Sequence, residues 1–141
     1  MREIKFRAWN PDWDEMVYSG LEILFDKREF YPFGFEVGFS HYPTEEWTIM
    51  QYTGLKDKNG KEIFEGDIIK YSFDLPESSY ATEEGLKIRI NKVIWSELRS
   101  SFSVGSKMAN NDLFRYVRNG NRVKVIGNIY ENPELLEVKH E

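Results

Sequence analysis

Hydrophobic side chains along this chain recur mostly at every second position, the spacing that lines one face of a β-strand. In the opening segment Ile4, Phe6 and Ala8 share one parity, with Glu3, Lys5 and Arg7 on the other. Tyr31, Phe33, Phe35, Val37 and Phe39 form the longest in-phase run, and Gly34 and Gly38 on its reverse side leave room for a neighbouring backbone. Met16 to Phe25, interrupted at Ser19-Gly20, and Trp47 to Thr53 are further β-like stretches. Strands also fit Ile68 to Phe73, Leu86 to Trp95, Phe102 to Val104 and Val123 to Tyr130. Within Leu86 to Trp95 the phase slips: Leu86, Ile88 and Ile90 have one parity, Val93 and Trp95 the other. One extra residue near Asn91-Lys92, a β-bulge, would restore a single buried face.

Helical signals are confined to two short pieces. Asn110 to Val117 offers Asn110 or Asn111 as a cap, Asp112 for the first turn and Gly120 just past the end. Asn132-Pro133-Glu134 places Asn at the N-cap, Pro at the first helical position and Glu near the positive end of the dipole, so that Leu135, Leu136 and Val138 pin the tail. Asn59-Gly60 predicts a type I′ hairpin turn, and Glu65-Gly66-Asp67 a second turn. Asp74 to Gly85 is polar and reads as a mobile loop. The pattern predicts a mainly β, β-rich α+β fold with one or two short helices. Residues 61–141 would form a small SH3-like or OB-like barrel, and residues 1–60 a β-rich layer beside it, the whole being one compact domain.

Composition supports a packed core. Hydrophobic residues are only 40% of the 141, but ten Phe, eight Tyr and four Trp supply large buried areas. With no cysteine, a disulfide framework, a thiolate metal site and a cysteine nucleophile are all excluded. MREIKFRAW has no apolar h-region, and no apolar run approaches the length that spans a bilayer, which points to a cytoplasmic protein without membrane contact.

Charge changes the picture more. The net charge is −5, yet residues 11–85 carry 17 acidic and 6 basic side chains, whereas residues 86–126 carry 9 basic and 2 acidic ones. The basic stretch holds Lys87, Arg89, Lys92, Arg99, Arg115, Arg118 and Arg122, the candidate contacts to nucleic acid. Trp95, Phe102 and Tyr116 are the candidate stacking partners, since small barrels pair cations for phosphates with rings for bases. The competing reading makes these aromatics core and these cations a solvated face, and a sequence pI near 5.2 favours it.

No catalytic constellation emerges. His41 sits in a loop and His140 is the penultimate residue, so no His pair or Ser-His-Asp set can be assembled. Glu62, Glu65 and Asp67 could serve as an acid/base pair or cation ligands, but their placement about a turn favours backbone capping. Asp57, Asn59 and Gly60 look like the start of an EF-hand loop that lacks its bidentate Glu. No phosphate-cradling glycine loop is present, so no cofactor and no metal is expected.

Three blocks carry a family resemblance: MREIKFRAW, MQYTGLKDKNGKEIFEGDIIKY and VIGNIYENPELLE. In this order, and spread over nearly the whole chain, they resemble the YopX family of small proteins encoded by bacteriophages and prophages of Gram-positive bacteria. The resemblance implies a mainly β fold with a barrel-like C-terminal part, expression inside a bacterial host, and no catalytic residues to carry over. The resulting expectation is a non-enzymatic accessory module acting through a protein partner or self-association, with nucleic-acid binding through residues 87–124 as the alternative.

Overall fold

Alternating side chains build strands here only where neighbouring backbone can complete the ladder, and every pairing among the described residues is antiparallel. The computed structural model describes residues 3–18, 47–105 and 111–137. These fall into two compact units that divide between Gln51 and Tyr52. The in-phase run Tyr31 to Phe39 and the segment after Tyr18 lie outside the described residues.

In the first unit β1 (Phe6–Asn10) pairs with β2 (Glu15–Val17) on one side and with Thr48–Gln51 of β3 (Thr48–Lys56) on the other. Because β1 is flanked by two strands, Arg7 through Asn10 are all buried. Arg7, expected on a polar face, is therefore inside, while Ile4 precedes the strand and is exposed. Ala8 is fully buried against Phe6, Val17, Trp47 and Ile49.

The second unit contains the rest of β3, β4 (Glu62–Phe64), β5 (Asp67–Tyr71), β6 (Arg89–Ser96), β7 (Ser101–Val104), helix α1 (Leu113–Val117), β8 (Lys124–Asn128) and a 3₁₀ turn at Pro133–Leu136. β5 to β8 form a four-stranded sheet in the order β7-β6-β5-β8. That sheet is curled into a half-barrel, and the chain is mainly β, as the alternation predicts. Its core gathers Ile63, Ile69, Tyr71, Val93, Val104, Leu113, Tyr116, Val123 and Val125.

The phase slip in the basic segment has a different cause from the expected bulge. β6 begins at Arg89, so Leu86 and Ile88 lie before it and are exposed. Residues 89–92 pair with β5 in continuous register, and residues 93–96 pair with β7. The strand changes partners at Lys92-Val93; its first four residues are half-buried on both faces, and only Val93 and Ser96 are buried. The bulge lies instead on β8: Ile68 opposes Gly127 and Ile69 opposes Val125, leaving Ile126 as the extra residue.

The β3–β4 hairpin also closes differently from the type I′ expectation. Gly60 has φ +85°, but Asn59 is not among the positive-φ residues. The Gly60 N–H donates to the Asp57 carbonyl at 2.9 Å, and the Asp57 N–H to the Lys61 carbonyl at 2.7 Å. This is a three-residue loop ending in a left-handed glycine. Asp57 decides the choice. Its buried Oδ1 accepts the Asn59 and Lys61 N–H groups, both at 2.9 Å, and its Oδ2 accepts the N–H of Val125 at 2.9 Å. With the Lys58 N–H on the Val123 carbonyl, the hairpin covers the outer edge of β8.

The turn and cap residues of the last block act in a similar way. Asn128 Oδ1 accepts the N–H groups of Tyr130 and Glu131, and the Asn128 N–H donates to Asn132 Oδ1. Asn132 stands at the N-cap position, but its side chain turns back to Asn128 instead of capping the 3₁₀ turn. A Cβ at Gly127 would fall 2.4 Å from Asn132 Oδ1, which is why that position is bare. Asp112, not Asn110 or Asn111, is the N-cap residue of α1 and makes no side-chain cap bond. The polar stretch expected to be mobile is closed on itself: Asp74 Oδ2 accepts both the N–H and the Oγ1–H of Thr82, holding that carboxyl below its ordinary range, and the Asp74 N–H donates to the Gly85 carbonyl.

Two outcomes follow. Asp57→Ala removes the acceptor of three backbone N–H groups, of which that of Val125 is buried and costs about 1–3 kcal/mol when left unsatisfied. Chemical denaturation should show a loss of about 1–3 kcal/mol, and Asp57→Asn a smaller one, since an amide keeps a single acceptor oxygen. The phenols of Tyr71 and Tyr116 are both raised above their ordinary value of 10.0, chiefly by burial. Their neutral forms are favoured in the folded state, so stability is intact below pH 10 and is lost as pH rises through the raised folded values. Unfolding followed across that range should steepen with pH, and Tyr116→Phe should flatten the loss.

Candidate functional site

The β6–β7 hairpin and α1 together form the most chemically distinctive surface of the second unit. Trp95 and Phe102 are cross-strand partners, and their rings meet edge to face with centroids 5.0 Å apart. Trp95 is 40% exposed, so this pair stands partly outside the core. In α1 the buried residues are Leu113 and Tyr116, three positions apart, which turns Phe114 and Arg118 outward one helical turn from each other. Phe114 is 54% exposed, and the Arg118 guanidinium lies 5.9 Å from its ring.

Asp112 ties the two elements together. Its backbone bridges to Ser103, its Oδ1 accepts the Ser101 hydroxyl at 2.8 Å, and its Oδ2 lies 3.6 Å from Arg99. Between hairpin and helix runs a groove of about 360 Å³, walled by Leu55, Trp95, Phe102, Leu113 and Phe114 with Thr53 and Ser101 at its polar margin. A second concavity of about 430 Å³, lined by Asp112, Phe114, Arg115 and Arg118, adjoins it through Asp112 and Phe114. The combined surface is an aromatic trough with a cationic end.

The seven basic candidates separate into four groups. Arg99, Arg115 and Arg118 lie at or beside the trough. Arg122 is half-buried and committed to backbone: Nε donates to the Ser72 carbonyl, Nη1 to that of Gly120 and Nη2 to that of Arg115, so its guanidinium joins three segments of the chain. Arg89 is stacked 3.7 Å from the Phe73 ring centroid and donates to the Lys87 and Glu84 carbonyls and to Glu84 Oε1. Lys87 pairs with Glu84 at 2.9 Å, which with Arg89 holds that carboxyl below its ordinary range. Lys92 is half-buried in mid-β6. Of the three stacking candidates, Trp95 and Phe102 line the groove. Tyr116 is fully buried, its ring 4.8 Å from Tyr71 and stacked on Phe73.

Two of the carboxylates weighed as acid/base or cation groups hold backbone. Asp67 is buried and accepts the Phe64 N–H at 2.8 Å, while Asp57 is committed to the hairpin. Among the described residues no group of three or more His, Cys, Asp or Glu side chains is placed to hold a metal ion, and no helix is long and apolar enough to cross a membrane. His41 and His140 lie outside the described residues.

Sequence reasoning passed over Phe114, the residue at the junction of the two concavities. A signal was there. With Leu113 and Tyr116 on the buried stripe of a one-turn helix, a Phe at 114 has nowhere to go but out.

Comparison with known proteins places this geometry in a family. No curated protein matches the chain. Among solved structures, the protein EF1440 from Enterococcus faecalis superposes with a TM-score of 0.61 at 28% identity, covering 96% of this chain and 99% of that one. The protein yopX from Bacillus subtilis gives a TM-score of 0.53 at 22% identity, with 99% of each chain covered. The family described as YopX protein matches residues 5–137, a span that contains both hairpins, the half-barrel and the trough. The chain belongs to the YopX family.

Proposed function

We propose that this chain is a non-enzymatic binding module, a phage- or prophage-encoded accessory protein of the bacterial cytoplasm that docks a protein through the aromatic trough. The observation that carries this reading is the exposure of Trp95 and Phe114 beside Arg115 and Arg118. Exposed Trp, Phe and Arg around a depression are the side chains from which protein interfaces draw most of their affinity. A groove with apolar walls and a charged end suits a desolvated side chain followed by an acidic group. The alternative, nucleic-acid binding along residues 87–124, is weakened by the internal use of Arg89 and Arg122, which leaves three of its arginines at the surface concerned.

A photo-crosslinking amino acid placed at Phe114 tests this in living cells. Protease-sensitive, nuclease-resistant adducts are expected, absent when the same group replaces exposed Lys124 on β8. Phe114→Ala in a Trp95-crosslinking background should cut adduct yield by about tenfold, the change that 1.4 kcal/mol of lost affinity produces. Nuclease-sensitive adducts would transfer the trough to the nucleic-acid reading, and equal yields at positions 114 and 124 would remove it as a site.

A further inference from the structure

The first unit carries a feature whose chemistry is the converse of the trough. Between β1 and β2 the chain turns through Pro11, Asp12, Trp13 and Asp14 and enters β2 at Glu15, and all five residues are exposed. Trp13, at 51% exposure, is thus presented at a hairpin tip among Asp12, Asp14 and Glu15. The tip is shaped by its own backbone: Asn10 Oδ1 accepts the Asp12 N–H at 2.9 Å, and Asp14 takes φ +52°, a conformation Asp tolerates better than most residues. An indole exposed at a tip leaves apolar surface in water, and three carboxylates around it keep that surface soluble.

The trough offers what this tip lacks. Its apolar walls are Trp95, Phe102 and Phe114, and the adjoining end carries Arg115 and Arg118, with Arg99 beside Asp112. A volume of about 360 Å³ lies at the small end of the range for ligand pockets, suited to one large side chain and too small for a folded element. The one acid of the trough, Asp112, is already engaged by Ser101 and Arg99, so the net field over the depression is positive. An aromatic anchor ringed by carboxylates is the complement of an aromatic groove ringed by guanidinium groups, and both belong to one polypeptide.

We infer that the occupant of the trough is the β1–β2 hairpin tip of a second copy of this chain, with Trp13 inserted against Trp95, Phe102 and Phe114 and with Asp12 and Glu15 facing Arg115 and Arg118. This rests on the protein-docking reading of the trough and names its partner. The contact is heterologous, one patch meeting a different patch, so each copy brings both a tip and a trough to the assembly.

Sedimentation and light scattering of the full chain over a range of concentrations test the inference. Wild type is expected to self-associate, and Trp13→Ala to weaken association by about thirtyfold, the loss expected for an aromatic anchor. Raising salt to about 1 M should also weaken it, since screening then acts within about 3 Å. Charge exchange gives the sharper result. Asp12→Lys with Glu15→Lys, and separately Arg115→Glu with Arg118→Glu, should each be monomeric alone, yet should associate when mixed, because the basic tip then meets the acidic trough. Asp14 is left unchanged to spare its positive φ, and unaltered circular dichroism and melting show that each variant folds. A strictly monomeric wild type, or a mixture that stays monomeric while wild type associates, overturns the inference. If Trp13→Ala leaves the Phe114 crosslinks intact, self-docking alone fails; if no crosslink forms at Phe114 in any background, the docking reading fails with it.

Discussion

Much of the second unit's geometry hangs on one buried carboxylate. A sheet of four strands curled into a half-barrel leaves two edges, and an edge strand with unpaired N–H and C=O groups invites unwanted pairing. Asp57 covers one of them. Its two oxygens take three backbone N–H groups, two within its own hairpin and one from Val125, 68 residues further along. A charged acceptor forms stronger hydrogen bonds than a neutral one, and here all three donors are main-chain groups, that of Val125 being buried. The block TGLKDKNGKEIFEGD is thus the clasp that joins the β3–β4 hairpin to β8. Gly66 extends it, with its N–H on the Val93 carbonyl and its own carbonyl taking the Ile129 N–H.

The same economy governs the arginines. Arg122 donates to the carbonyls of Ser72 just past β5, of Gly120 and of Arg115 in α1, and its guanidinium lies 5.9 Å from the Tyr116 ring. Arg89 covers Phe73, which stacks on Tyr116, which in turn meets Tyr71. The series runs from solvent to core as cation, ring, ring and ring. Planar guanidinium groups suit this work because they stack on aromatic faces while still donating in their own plane. The excess of positive charge in residues 86–126 therefore has two origins. Part of it closes the barrel's loops, and part of it borders the trough.

That division explains what was legible in the sequence. Alternation identified the strands β1, β3, β5, β6, β7 and β8 to within a few residues, and the family blocks marked the hairpins. It failed where a strand changes partners. β6 pairs with β5 up to Lys92 and with β7 from Val93, and a parity count that includes the exposed Leu86 and Ile88 ahead of it reads one continuous strand as a bulged one. The turn at Asn59-Gly60 was misread for a related reason, since the side chain of Asp57 selected a type the dipeptide does not favour. For the trough, Trp95, Phe102, Arg99, Arg115 and Arg118 were all visible as residue types. What no spacing rule supplies is which arginines donate to backbone and which border a cavity, because that depends on where carbonyls lie after folding.

Exposed aromatics leave apolar surface in water, and their distribution here is informative for that reason. Phe114 could have been polar without loss to the core, since Leu113 and Tyr116 already bury the helix. Trp95 likewise continues a strand whose Val93 supplies the packing. Neither side chain is required by the fold that carries it. Both stand on elements held by long-range hydrogen bonds and cross-strand pairs, and Asp112 fixes the interval between those elements through Ser101, Ser103 and Arg99. A depression with fixed walls binds with little ordering cost, so its affinity comes from the side chain that fills it. The scaffold is therefore accounted for by its turns, caps and stacked arginines, and the trough is a part of the second unit whose chemistry still faces outward.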